Sequence, residues 1–318
     1  MYTHLSGPVS LNEFYRPHND HHIYIFGDWH FLESKCDPKA PIISQFIKDN
    51  VLVNNNKDIH LFLETEHLTK TLPKNPYLDK RKVDTYIGDI VTHFSSCFYE
   101  PSCKNYSNFT IHAIDFRITQ RTPAVLLLNN LVDIRKNSSI KEELQGHLRD
   151  VISQIEEFIK SKRKIDLIDM MVSLYDIDNK MKEDIGKISS SLRRTIKEFL
   201  MNEIVERELP SDHKDLLDLL YDSMELIDEG NLKKMSRLME VFEFLSNHVL
   251  DYYILCLLFS GSKYSMVYVG ENHANSICSF LKNIKGFDHI FSSHSCANSH
   301  CYQCLNIEGL YQPLFSEY

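Results

Sequence analysis

The sequence predicts an α/β protein: a mainly parallel sheet core interrupted by a long all-helical insertion. Three observations predict it. Between His22 and Arg117, short β-branched and aromatic runs alternate with helical stretches. From Thr122 to Phe259 the strand texture vanishes, and from Ser265 it returns. Strands alternating with helices imply parallel β-α-β units. We therefore divide the chain into residues 1–121 (first half of the core), 122–260 (helical insertion) and 261–318 (second half, with a tail rich in Cys and His).

The first strand is the run His22-Ile-Tyr-Ile-Phe26, stopped by Gly27. The second, from Asp58 to Leu63, runs into Glu64-Thr-Glu66, and the third, Thr110–Ile114, stops at Asp115-Phe-Arg117. Helices are expected near Ala40–Asn50 and Val83–His93. Thr122-Pro123 then offers an N-cap with Pro at the first helical position, and amphipathic runs such as Val151, Ile152, Ile155, Phe158 and Ile159 follow. In the last part the strand Ser265–Val269 meets Gly270-Glu-Asn-His273, a helix follows from Ala274 to Ile284, and a weaker strand covers Phe287–Phe291.

At 318 residues, 43% hydrophobic and 25% charged, the chain has room for a large buried core. A net charge of −9 gives no electrostatic footprint for nucleic acid, and the short basic clusters, such as Lys80-Arg81-Lys82, read as solvated helix faces. The N-terminus lacks a basic start followed by an apolar run, so no signal peptide is expected. The most apolar run, Ile254–Phe259, falls far short of the roughly 20 residues of a membrane span. These features lead us to expect a cytoplasmic protein, with three Asn-x-Ser/Thr sequons (Asn105, Asn108, Asn137) that carry no meaning without secretion. Its eight cysteines are then expected to be mostly reduced, as buried small hydrophobes or occasional metal ligands rather than disulfides, with Cys97 and Cys103 structural or inert.

One internal echo carries the chemistry. The segments ending Gly27-Asp-Trp-His30 and Gly270-Glu-Asn-His273 share one plan: apolar strand, glycine, acid, any residue, histidine. The other two early strands end in Glu64-Thr-Glu66 and Asp115-Phe-Arg117. Four strands thus deliver ionisable groups to one edge of one sheet, the edge where open α/β sheets bind ligands. Burying that many charges costs several kcal/mol per ion unless they are paired or coordinated, a cost that suits a catalytic cleft better than a scaffold. Taken singly each motif has a plainer reading: a hydrogen-bonded core histidine, acids serving a helix dipole at Glu64-Thr-Glu66, or an ion pair at Asp115 and Arg117.

The paired G-x-x-H motifs, with Glu64 after the second strand and an Asp-x-Arg element after the third, resemble the TIKI/TraB superfamily. Its wider circle takes in erythromycin-esterase-like enzymes and ChaN-like haem-binding proteins. The resemblance covers Ile23–Arg117 and Met266–Leu281, under half of the chain. It implies an α/β core that brings both G-x-x-H motifs and the Glu together, as a divalent-metal protease centre in TIKI-like members and as a metal-free His/Glu site in esterase-like ones. Carried over motif by motif, it makes His30, His273 and Glu64 the metal set, for zinc or manganese. Asp115, Arg117, Asp28 and Glu271 join Glu64 in the catalytic set. The expected activity is hydrolysis of an ester or amide bond in a small-molecule or peptide substrate. The alternative is a non-catalytic haem- or metal-binding or assembly protein that retains the fold.

A second constellation lies in the tail. Cys301 and Cys304 have metal-knuckle spacing, and Cys296 with His294 or His300 would complete a tetrahedral zinc set, but no second C-x-x-C accompanies them and the favoured reading is ordinary tail residues. Ser95-Ser96 and Ser292-Ser293 stand near histidines without a nucleophile-elbow context, so a serine triad is set aside.

Overall fold

The computed structural model describes residues 1–29, 36–54, 56–66, 85–98, 103, 106–116, 153, 168–169, 172, 179–206, 246–297, 300–301 and 303–315. The chain divides into two compact units, Met1–Asp115 with Leu257–Tyr318, and Phe116–Cys256.

The first unit is a mixed α/β structure built on a six-stranded, mostly parallel sheet. In chain order its elements are β1 (His4–Ser6), β2 (Ser10–Arg16), β3 (His21–Asp28), α1 (Ile43–Val53), β4 (Ile59–Glu66), α2 (Tyr86–His93), α3 (Ser95–Phe98) and β5 (Phe109–Asp115). The second unit contributes α4 (Asn179–Gly186) and α5 (Ser190–Glu206), and a further helix, α6, covers residues 246–258. The chain then adds β6 (Tyr264–Gly270), α7 (Glu271–Asn283), β7 (Asp288–His294), β8 (Cys296–Ala297), β9 (His300–Cys301) and β10 (Cys304–Asn306). The strand order is β5-β4-β6-β3-β2-β7; β5, β4, β6 and β3 run parallel, and β2 is antiparallel to both its neighbours.

Strand alternation sorts the side chains onto two faces. Tyr24, Phe26, Leu61, Leu63, Met266 and Tyr268 meet Ile43, Phe46 and Ile47 of α1, Tyr86 and Ile90 of α2, and the tail residues Leu305, Leu314 and Phe315 in one core. α7 covers the opposite face, where Glu271 reaches over Gly27. A Cβ on Gly27 would collide with Glu271 Oε2 and Ser10 Oγ, so any side chain here forces those two groups to shift. α2 begins with a side-chain cap, the Gly88 amide donating to Thr85 Oγ1 at 3.0 Å. α7 begins directly on Gly270, with Glu271 in its first turn and Lys282 in its last, both matched to the helix dipole.

β6 is inserted between β3 and β4. The chain leaves β3 and β4 towards the α1/α2 face and leaves β6 into α7 on the other. Neighbouring strands whose connections depart to opposite faces leave a crevice at their carboxyl ends. The two glycine motifs flank that crevice, at the ends of β3 and β6.

Two findings correct the sequence reading. β2, with its polar Asn12 and Glu13, is a buried strand that periodicity did not single out. Asn12 Oδ1 accepts from Ser292 at 3.0 Å, and Glu13 Oε1 accepts from the Tyr24 hydroxyl at 2.8 Å, so tertiary partners satisfy both polar side chains. The cysteines are not all reduced: Cys36 is bridged to Cys304, and Cys97 to Cys103. Persistent disulfides belong to oxidising surroundings, so these four cysteines depart from the reduced state expected of them. Cys256 and Cys278 are free and buried, and burial pushes both thiols up to about 12.

Between Asn179 and residue 258 the described residues are helical apart from the short link 187–189. In the second unit, Asp184 accepts from Lys187 at 2.6 Å and from the Tyr253 hydroxyl at 3.4 Å. The expected helix start at Thr122-Pro123 lies outside the described residues. No helix among the described residues is long and apolar enough to cross a membrane.

Candidate functional site

The carboxyl ends of the four parallel strands are level. Asp28 pairs with Gly270 across β3 and β6, Leu63 with Tyr268 across β4 and β6, and Glu66 with Asp115 across β4 and β5. Asp28, Glu64, Asp115, Glu271 and His273 therefore collect at one edge, as their places after apolar runs predicted. His30 and Arg117 lie outside the described residues; Trp29, beside His30 and the only tryptophan of the chain, is 46% exposed.

The sheet's two faces divide these groups. Glu64 lies on the α7 face, because Leu63 belongs to the opposite core. Its Oε1 is 3.5 Å from His273 Nε2, and the two side chains are 8% and 7% exposed. Its Oε2 accepts the amide of Gly270 at 2.6 Å. A carboxylate is thus held at the start of a helix, where backbone N–H groups and the dipole favour negative charge.

Glu271 is used differently. Its Oε2 accepts from Ser10 Oγ at 2.5 Å, while Oε1 is 3.0 Å from His294 Nε2 and accepts from Asn275 Nδ2 at 3.1 Å. The carboxylate against His273 is Glu64 rather than the adjacent Glu271, since helical residues two apart project to different sides. Asp28 faces the other way, on the side of α1 and α2. It is 1% exposed, and its Oδ1 accepts from Gln303 Nε2 at 2.6 Å. Neighbouring Tyr268 is wholly enclosed; burial first, then the charge of Asp28, pushes its phenol well above the ordinary range.

Ser10, Tyr268, His294 and Gln303 complete these contacts, and of them only His294 stood out in the sequence, as a zinc ligand. That tail zinc set is corrected. Cys304 is consumed by its bridge to Cys36, and His294 is turned onto Glu271, leaving the set without two of its members. Ser292 and Ser293 donate to Asn12 and to the Asn306 carbonyl. Among the described residues, to which His30 does not belong, no group of three or more His, Cys, Asp or Glu is arranged to hold a metal.

No family model, no curated protein and no solved structure matches the chain.

Proposed function

We propose that this protein is a hydrolase of an ester or amide bond, with Glu64 and His273 as its working pair. The observation that carries the reading is an imidazole buried against a carboxylate, 3.5 Å apart, in the crevice at the sheet's switch point. In that arrangement His273 takes a proton from the attacking water, the water oxygen bonds to the carbonyl carbon, and the proton passes to the departing alcohol or amine. Glu64, anchored by the Gly270 amide, orients the imidazole and offsets its charge.

The donors also suit a divalent metal. His273 Nε2 and Glu64 Oε1 are separated by about the edge of a tetrahedron whose ligand bonds are roughly 2.1 Å, and imidazole nitrogen with carboxylate oxygen is a zinc or manganese set. His30 is the third ligand that the glycine motif supplies. When bound, such an ion lowers the pKa of its water to about 7. Arg117 is assigned to a developing oxyanion or an anionic group of the substrate, and Asp115, the last residue of β5, to orienting Arg117 or a histidine. Residues 122–260, as an all-helical insertion, are assigned to choosing that substrate, a small molecule or a peptide.

The test is an ester and peptide panel assayed with wild type, His273→Ala and Glu64→Gln, alongside metal analysis of each purified protein. Hydrolysis that both substitutions abolish supports the reading. Hydrolysis that neither affects removes the pair from the chemistry.

A further inference from the structure

On the opposite side of the sheet from Glu64 and His273, the fold closes over a second cluster, made of oxygens. Gln303 is 3% exposed, and its Nε2 is committed to Asp28. Its Oε1 is sealed from solvent with no hydrogen-bond partner among the described residues. Turning the amide over would not relieve this, because it would set oxygen against carboxylate. Asp89 Oδ2 is sealed and unpartnered in the same way. Asp89 and Tyr86 are one helical turn apart on α2 and so share a face. The charges of Asp28 and Asp89 both act on Tyr268, as does Tyr86.

The surrounding backbone is stitched to the same place. Tyr86 Oη and Ser6 Oγ are 2.9 Å apart, and the amide of Gly7 donates to the Gln303 carbonyl at 3.1 Å. Strand β1, helix α2, the end of β3 and the tail therefore converge on two carboxylates, an amide oxygen and phenol groups. Two of these oxygens, Gln303 Oε1 and Asp89 Oδ2, are sealed without a donor among the described residues, and an enclosed acceptor is costly unless a proton donor or a positive charge meets it. A water molecule would bring two protons and no charge. A hard cation brings the charge, and carboxylate and amide oxygens are its preferred ligands.

We propose that this cluster is a binding site for a hard divalent cation of the magnesium, calcium and manganese class, held by Asp28, Asp89 and the side-chain oxygen of Gln303. The ion ties α2 and the tail to the end of β3, two residues before His30, and so steadies the base of the first glycine motif. The site is independent of the Glu64–His273 pair and of any hydrolytic activity.

The experiment uses the full chain, stripped with a chelator and titrated with calcium, magnesium and manganese while the thermal midpoint is followed. Terbium, an oxygen-seeking probe sensitised by nearby tyrosines and Trp29, reports occupancy by luminescence. At least one of the three ions is expected to raise the midpoint and to displace terbium. Asp89→Asn, which keeps the shape, is expected to weaken that ion by about tenfold or more, and His273→Ala to leave it unchanged. No midpoint rise with any ion overturns the proposal, as does an undiminished response in Asp89→Asn or its loss in His273→Ala. Should Asp89→Asn fail to fold, Gln303→Glu decides. An enlarged stabilisation by the ion supports the site, and an equal loss of stability with and without the ion shows that only water fills the cluster.

Discussion

Glu64 stands between two parts of one motif: its Oε1 is 3.5 Å from the His273 ring, and its Oε2 accepts the amide of Gly270, three residues earlier. A strand-end carboxylate therefore reads both the glycine and the histidine of the second G-x-x-H. Glu64→Gln keeps the size and can still accept from Gly270, but loses the charge that faces the imidazole. We predict that it lowers hydrolysis by about 10²- to 10⁴-fold, the usual worth of acid–base assistance, with little change in the thermal midpoint. Steady-state kinetics and a melting curve on the same preparation check both halves.

Gly27→Ala is predicted to destabilise by about 1–3 kcal/mol, because the new methyl displaces Glu271 and breaks its bond to the buried Ser10. In a Glu271→Ala background the same change is expected to cost less, since the group it collides with is gone. Urea unfolding of the four proteins gives the coupling directly, and additive effects would show that Glu271 does not set the requirement for glycine.

The bridge between Cys36 and Cys304 spans a separation of 268 residues. Its removal by reductant, or by Cys304→Ser, is predicted to cost about 2–5 kcal/mol. Cys256 and Cys278, with thiols pushed up to about 12 by burial, are expected to resist alkylation until the chain unfolds. Mass analysis of the non-reduced protein after native and denaturing alkylation counts both classes, and alkylation of Cys36 in the native protein would contradict the bridge.

His21 is held near 4 in the folded chain, first by burial and then by the charges of Arg16 and His22. The folded state keeps it neutral, whereas an unfolded histidine protonates near 6.5. Its contribution is therefore fully present above about pH 6.5 and is lost as the pH falls towards about 4, by up to about 3 kcal/mol. His22, lowered chiefly by burial, acts in the same direction. His21→Phe, which preserves an aromatic ring against Phe259 and Phe287, is expected to flatten the acid limb of stability measured between pH 4 and 7. An unchanged limb would assign the acid sensitivity elsewhere.

The sequence by itself determined the strands β3, β4, β5 and β6 and the edge to which they deliver their acids. An apolar β-branched run that ends in Gly-Asp or Glu-Thr-Glu is a local pattern, and strand period and chain direction follow from local geometry. The helix after Gly270 was legible for the same reason. Only the tertiary structure decided that Ser10–Arg16 is a strand, since Asn12 and Glu13 look polar until Ser292 and Tyr24 satisfy them. It also decided that Glu64 rather than Glu271 meets His273, that Asp28 turns to the opposite face towards Gln303, and that Cys304 joins Cys36 instead of a metal. Each of these depends on which strands are neighbours and on which face a residue falls. Sequence spacing does not encode such relationships between distant segments, because the packing of the whole sheet settles strand order and register together.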